Sequence, residues 1–319
     1  MFLLSGCSDS TDTPPEKYVI KIAYGNQPGE PTDLGVQEWA RLAAQMSNGR
    51  IELQPYPASQ LGSQQDVVEQ VRLGAPVITI SDGGYLMDYL PDIGITYAPF
   101  LTRDYEAYFQ LMDSPWFEGV CDRLRGLGFE VVTAKWVYGT RHLLATHPVK
   151  TPADMKGLKI RTPAAPTLIK TIEYMGGVPT PMPLSEVYPA LTQGVIDGAE
   201  NPLPVLTGAK LHEGATYLSL TGHLQNVSIW IGSSKGLAKL PADMVQIIKD
   251  SAEAAARFTY EQVSQNDQEA LDTMRAAGVT VITPDVEAFR TAISPIYTEM
   301  FRPGLYDEVR RHIKEGNPQ

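Results

Sequence analysis

"DMKGLKIRTPAAPTLIK" spans Asp154 to Lys170, and it changes character in the middle. Leu158 and Ile160 alternate with Lys159 and Arg161, the two-residue period of a short strand. That strand stops at Thr162-Pro163, and a helical stretch rich in Ala, Leu and Ile carries on to Met175. A strand, a Pro-marked turn and a helix in this order belong to an α/β sheet. The strand also delivers a guanidinium to its own end. A group that never loses its charge requires water or an anion wherever it points.

The residues on either side repeat the pattern. Downstream come "PTPMP", a helix from Ser185, and the strand-like "VIDGAENP". Upstream, "YVIKIAYG" (Tyr18 to Gly25) alternates as a strand. "PTDLGVQEWARLAAQMSNG" then reads as an amphipathic helix with Leu34, Trp39, Leu42 and Met46 on one face, closed by Gly49. "IELQPYP" is a second strand, "QQDVVEQVRLG" a second helix and "PVITI" (Pro76 to Ile80) a third strand. Strand–helix–strand–helix–strand at this spacing predicts a parallel sheet with helices on its faces. Two helical pieces follow between Asp104 and Gly126, then two strand-like runs, Phe129 to Trp136 and Thr140 to Ala145. From Pro241 to Gly278 the sequence is apolar at helical spacing without an internal Pro or Gly, predicting one helix roughly 50 Å long. "VTVIT" and two closing helices finish the chain.

At 319 residues the chain exceeds what one hydrophobic core usually supports, so two domains are expected. No apolar run approaches the roughly 18 residues of a membrane-spanning helix. A net charge of −11 argues against nucleic acid, so an anionic ligand has to be held by a local group of Arg or Lys. The two cysteines, Cys7 and Cys121, are too few for a disulfide framework. Cys121 reads as a buried thiol in a helix. Cys7 ends "LLSGC" and precedes the polar "SDSTDTPPEK", an order similar to a bacterial lipoprotein processing site. Only six residues precede it and no charged n-region is present. Cys7 is therefore either a lipidation site or part of a small-residue terminus with no such role, and residues 1–17 are expected to be a signal remnant or tether.

Motifs of catalysis and cofactor binding are missing from the sequence. There is no P-loop, no G-x-G-x-x-G after a strand and no H-E-x-x-H. The five histidines show no ligand spacing with carboxylates or cysteines, and His142 and His223 are either structural imidazoles or ligand-lining groups. No cofactor and no metal is expected. What remains are polar residues at strand ends: Arg161, Arg141 after Tyr138-Gly139-Thr140, and Asn201 in "DGAENP". Ligands of open α/β sheets sit outside the carboxyl ends of the strands. Two guanidiniums and an amide there would clamp a carboxylate, although surface arginines are more commonly just solvated.

The stretches "DMKGLKIRTPAAP", "GGVPTPMPLSEVYPALTQGVIDGAENPL" and "YPASQLGSQQDVVEQVRLG" resemble the substrate-binding proteins of TRAP (tripartite ATP-independent periplasmic) transporters, in the sialic-acid and C4-dicarboxylate branch. The resemblance runs from about Tyr18 to Pro303. It implies a periplasmic-binding-protein fold: two α/β lobes with a hinged interdomain cleft and the long helix bridging both. The expected division is 18–138 plus 227–266 for lobe I, and 139–226 plus 267–319 for lobe II. It further implies that Arg161 makes the bidentate salt bridge to a ligand carboxylate, that Arg141 supports it, and that Asn201 closes the clamp. On the opposing lobe the resemblance points to Tyr24, Gly25 and Asn26, to Ser63 and Gln64, and to Ser81, Asp82 and Tyr85. Asp82 either meets a ligand ammonium or hydroxyl, or caps a helix. Leu184, with Trp136 or Trp230, supplies apolar walls unless the tryptophans are core.

The implied function is a receptor that binds a small organic acid in the periplasm, as a monomer, and hands it to membrane permease subunits. The alternatives are an α/β enzyme anchoring a carboxylate substrate on Arg161, or a binding protein of the ABC type. The first lobe's loops, "GNQPGEP" and "SDGGY", carry no cation for a second carboxylate. A hydroxylated or amino monocarboxylate is therefore expected over a dicarboxylate.

Overall fold

The computed structural model describes residues 16–313. Cys7 and nearly all of the expected tether lie outside the described residues. The chain opens with β1 (Tyr18–Ala23), α1 (Pro31–Met46), β2 (Ile51–Tyr56), α2 (Gln64–Arg72), β3 (Val77–Ser81) and a short α3 (Gly83–Leu86). Helices α4 (Tyr105–Met112) and α5 (Pro115–Gly126) lead into β4 (Phe129–Ala145), then β5 (Lys159–Thr162), α6 (Pro166–Tyr174) and β6 (Val178–Pro181). After α7 (Val187–Thr192), β7 (Gly198–Pro202) and α8 (Leu203–Gly208) comes β8 (Tyr217–Ser233). The chain ends with α9 (Ser234–Leu237), α10 (Ala242–Ala276), β9 (Thr280–Ile282), α11 (Val286–Ile293), α12 (Ile296–Glu299) and α13 (Leu305–Arg310).

One mixed sheet runs through the molecule in the order β2-β1-β3-β8-β4-β7-β5-β6, with β9 beside β8. Strands β4 and β8 are 17 residues each, antiparallel, and belong to both lobes. At one end of β8, Ile229 to Gly232 pair with β3; at the other, Tyr217 to Ser219 pair with β9. On β4, Arg141 to Ala145 pair with β7. The β4–β8 register shifts between Val137 and Gly139, and Gly139 takes φ +130° there. That conformation favours glycine, and a Cβ would come within 2.7 Å of the Pro202 side chain.

Each half has its own core. In the first lobe Trp39, Trp136 and Trp230 pack edge-on or tilted with ring centroids 5.2 to 6.2 Å apart, beside Ile22, Ile51 and Ile78. In the second, Leu144, Leu191 and Leu218 form one cluster, and Ile160, Ile172 and Phe289 another. Helix α10 buries Ile248, Ala252 and Ala255 in the first lobe and Ala270 and Met274 in the second. It bridges both, as its length required. No helix among the described residues is long and apolar enough to cross a membrane.

Four sequence expectations are corrected. The runs 129–136 and 140–145 are one continuous strand, because the bulge at Gly139 redirects β4 without ending it. Strand β8 had no counterpart in the sequence reading. The buried face of α1 is Thr32, Gly35, Val36, Trp39 and Ala43, while Met46 is exposed, because Gly35 brings the helix against α10 and β4. Three short helices, not two, close the chain.

Candidate ligand-binding cleft

Three neighbouring strands of the second lobe build one wall of the cleft. Arg161 on β5 sits beside Ala199 of the parallel β7, and β7 in turn pairs with β4, placing Pro202 opposite Arg141. Arg161, Asn201 and Arg141 thus meet at the carboxyl ends of β5 and β7, where such sheets take ligands. All three line a cavity of about 90 Å³ between the lobes, together with Asn26, Gln64, Asp82, Tyr85 and Leu184. Gly25 and Ser63 also contribute to the lining.

The two arginines are in different chemical situations. Arg141 faces the Glu200 carboxylate with Nε and Nη2, the latter at 2.7 Å, and its Nη1 reaches Asn226 Oδ1 at 2.9 Å. Burial alone would raise the Glu200 carboxyl, but the Arg141 charge and hydrogen bonds from His223 and Arg141 hold it down at about 2. The positive charge of Arg141 is therefore cancelled inside the protein. Arg161, equally buried at 3% exposure, donates Nε and Nη2 to the Met182 carbonyl, at 3.0 and 2.8 Å. No carboxylate pairs with it among the described residues. Burial, with the Arg141 charge nearby, pulls its pKa below the ordinary arginine value. An uncompensated buried guanidinium is costly, and an anion would relieve it.

Asp82 caps α3: its Oδ1 accepts from Gly84 N at 2.9 Å and from Tyr85 N at 3.3 Å. It lines the cavity at the same time. Burial pushes its carboxyl up to about 6, against the pull of Arg141, the two cap N–H groups and the Tyr97 hydroxyl. Tyr97, Tyr138 and Asn226, which the sequence did not single out, also line the cavity. Their only signal was polarity at positions that turn out to be buried. Two cavity-lining amides carry buried atoms without a protein partner, Asn201 Oδ1 and Asn226 Nδ2. Such orphans are rare in native interiors and mark places where something else bonds.

Six of the named residues lie off this lining. Tyr24 bonds Asp33 Oδ1 at 2.7 Å and packs edge-on against Trp230. Ser81 is fully buried on β3 with an unpartnered hydroxyl. Trp136 and Trp230 belong to the tryptophan cluster of the first lobe. His223 stands behind the clamp between Thr221 and Glu200. His142 accepts from Gly222 N at 3.0 Å, and burial, with His223 nearby, lowers its pKa to about 3, so it is neutral.

The model of bacterial extracellular solute-binding proteins, family 7, matches residues 22–303. Among solved structures, a TRAP periplasmic solute-binding protein from Ochrobacterium anthropi with bound L-fuconate is 43% identical, with a TM-score of 0.91 over 93% of this chain and 100% of that one. A second, from Actinobacillus succinogenes with bound L-galactonate, is 40% identical at a TM-score of 0.91, covering 92% and 99%. The sialic acid-binding periplasmic protein SiaP of Vibrio cholerae is 31% identical over 80% of this chain and 79% of its own length. With this match along nearly the whole folded chain, and with this two-lobed architecture, the protein belongs to the family 7 extracellular solute-binding proteins that serve TRAP transporters.

Proposed function

We propose that this chain is the periplasmic receptor of a TRAP transporter for a hydroxylated monocarboxylate of the sugar-acid type, which it passes unchanged to the membrane permease. The observation that carries the charge of the ligand is Arg161, buried in the cleft without an acidic partner while Glu200 neutralises Arg141. These two are the only cations among the cavity-lining residues, and Arg161 alone is without an acidic partner, so one guanidinium is left to meet a ligand anion. A single carboxylate matches it; a dicarboxylate or a phosphate monoester would bury a second negative charge beside Asp82. Arg161 turns its fork toward the carboxylate and Asn201 closes on it.

The polarity of the remaining wall supports hydroxyl groups. Donors (Asn226 Nδ2, the Tyr138 hydroxyl) and acceptors (Asn201 Oδ1, Asp82) stand around one small space. A hydroxyl both donates and accepts, so a polyol chain can satisfy such a mixed set. The sugar acids bound by the two structural neighbours fit this pattern. Lobe I is assigned to 18–138 plus 227–266 and lobe II to 139–226 plus 267–319, hinged where β4 and β8 cross. The protein acts as a monomer, without a cofactor and without catalysis.

The test is mass spectrometry of ligand released from purified protein, followed by calorimetry with L-galactonate, L-fuconate and D-erythronate, and with succinate and sn-glycerol 3-phosphate as dianionic controls. Stoichiometric binding of an aldonate, recovered chemically intact, is the expected result. Tighter binding of either dianion would overturn the charge argument, and turnover of the bound acid would make the protein an enzyme.

A further inference from the structure

The first lobe's wall has a defined hydrogen-bond direction, and a residue outside the cavity lining sets it. Asn26 Nδ2 donates to Glu30 Oε2 at 2.6 Å and to the Tyr138 hydroxyl oxygen at 3.1 Å. A side-chain amide has two N–H hydrogens, and both are used. Oδ1 is what Asn26 has left to offer the cleft, and no protein donor bonds it among the described residues. Having accepted from Asn26, the Tyr138 hydroxyl keeps its own hydrogen for the cavity it lines.

Glu30 is an unusual residue to find doing this. It stands at the N-cap position of α1, yet its side chain makes no cap bond there. It is 6% exposed, no cation pairs with it, and its Oε1 has no hydrogen-bond partner. That oxygen is pressed against Gly208 at the end of α8 in the second lobe, so closely that a Cβ on Gly208 would approach it to 2.3 Å. A carboxylate buried in this way costs stability and returns little to the fold. Beside the Gln27 N–H, its one side-chain partner is the amide of a cavity-lining residue.

We propose that Glu30 is a positioning residue for ligand specificity: it locks the Asn26 amide with Oδ1 toward the cleft, so the ligand group that meets Asn26 has to be a hydroxyl and not a carbonyl or a bare methylene. An ionised carboxylate only accepts hydrogen bonds, so it holds the amide nitrogen and rejects the amide oxygen. A ligand carbonyl at that carbon would face Oδ1 lone pair to lone pair. A methylene would leave Oδ1 buried and unbonded, which discriminates as strongly as a missing contact can. The proposal rests on the receptor function above and adds which ligand atom is read and by what.

The experiment compares L-galactonate with six-carbon acids in which one hydroxyl at a time is replaced by hydrogen or by a carbonyl. Binding is measured by calorimetry at pH 8, where the Glu30 carboxyl, pushed up to about 7 by burial, is mostly ionised. In the parent protein one carbon should stand out, with its deoxy and keto analogues both weaker by at least about tenfold. In Glu30→Gln the amide can turn over, because glutamine offers both a donor and an acceptor, and the keto penalty at that carbon should fall about tenfold. Glu30→Met, similar in volume, should relax it likewise if the glutamine variant does not fold.

A merely structural Glu30 would weaken all ligands alike and leave the ratios untouched; unchanged ratios in the folded variants overturn the proposal. So does a parent protein that binds keto and hydroxy acids equally at every carbon, a result that needs no variant. If the parent binds no sugar acid at all, it is the receptor assignment that fails, and the two failures are told apart by that first titration.

Discussion

Arg161 and Arg141 are buried to the same depth, and only one of them is free to bind an anion. Arg161→Ala should abolish useful binding, since removing one partner of a desolvated charge pair costs roughly 2–5 kcal/mol, and should leave melting of the ligand-free protein equal or higher. Arg161→Lys should fail almost as badly, because an ammonium cannot reproduce the planar fork. Calorimetry showing the lysine variant within a few-fold of the parent would contradict bidentate capture. Arg141→Ala should instead lower stability by about 3–5 kcal/mol, because it strands the buried Glu200 carboxylate. Asp82 takes the helix-cap role on α3, and it also lines the cavity, where a ligand contact remains a proposal. Its carboxyl rises from 3.8 to about 6 on folding, so the folded state binds its proton more tightly than the unfolded state does. Stability is therefore favoured below pH 4 and lost as pH climbs through 6, by up to about 3 kcal/mol. Asp82→Asn should melt progressively higher relative to the parent between pH 4 and pH 7. A difference that stays flat across that range would rule the burial effect out. With a hydroxyl as its ligand contact the same change should cost about 1 kcal/mol of affinity; a loss of several kcal/mol would point to an ammonium.

Elements that obey one hydrophobic period were legible in the sequence, β5 with Arg161 among them, and the long polar-lined strand β8 was not. Strands β1 to β3 and helix α10 were read close to their observed bounds, since each buries an apolar face on a regular repeat. Strand β8 escaped because Ser219, Thr221, His223, Asn226 and Ser228 are all buried polar residues, so burial along it does not show as hydropathy. The clamp residues were visible as charges at strand ends, but the support behind them (Glu200, Tyr97, Tyr138) becomes recognisable only when the strands are set side by side. Helix α1 makes the same point about packing. Its seat on α10 depends on Gly35, where a Cβ would fall 2.0 Å from Thr259 Oγ1 and 2.7 Å from the Trp136 ring. Overpacking of this kind typically costs 1–3 kcal/mol or more, and here it meets a rigid indole. Gly35→Ala should reduce the urea midpoint markedly without altering the denaturant slope. An alanine variant as stable as the parent would mean that α1 can slide on α10, which the tryptophan cluster argues against.

Around the cleft the lobes meet across a thin seam, while Phe301, Leu305 and Val309 of the C-terminal segment pack into the core of the first lobe. Tyr97, Ala165, Leu168 and Leu224 form the seam's small apolar patch, with Thr167 Oγ1 bonding Met87 Sδ at 3.2 Å and Gln65 Nε2 reaching the Ala164 carbonyl at 3.5 Å. These contacts are few beside the two large cores on either side. They are not enough on their own to fix one arrangement, whereas a ligand held by Arg161 and Asn201 on one lobe and by Asn26 and Asp82 on the other would add to the closed form alone. Moving a population from mostly open to mostly closed requires the ligand to prefer the closed form by about 10⁴-fold. One desolvated carboxylate bridge and several hydroxyl contacts can supply that. Saturating ligand should therefore shrink the radius of gyration in small-angle scattering toward the roughly 20 Å of a compact chain this long. The Arg161→Ala protein should give the same ligand-free curve as the parent and fail to contract when the acid is added. Identical curves for the parent with and without ligand, at a saturation verified by calorimetry, would show that β4 and β8 do not act as a hinge and that the cleft is closed before the ligand arrives.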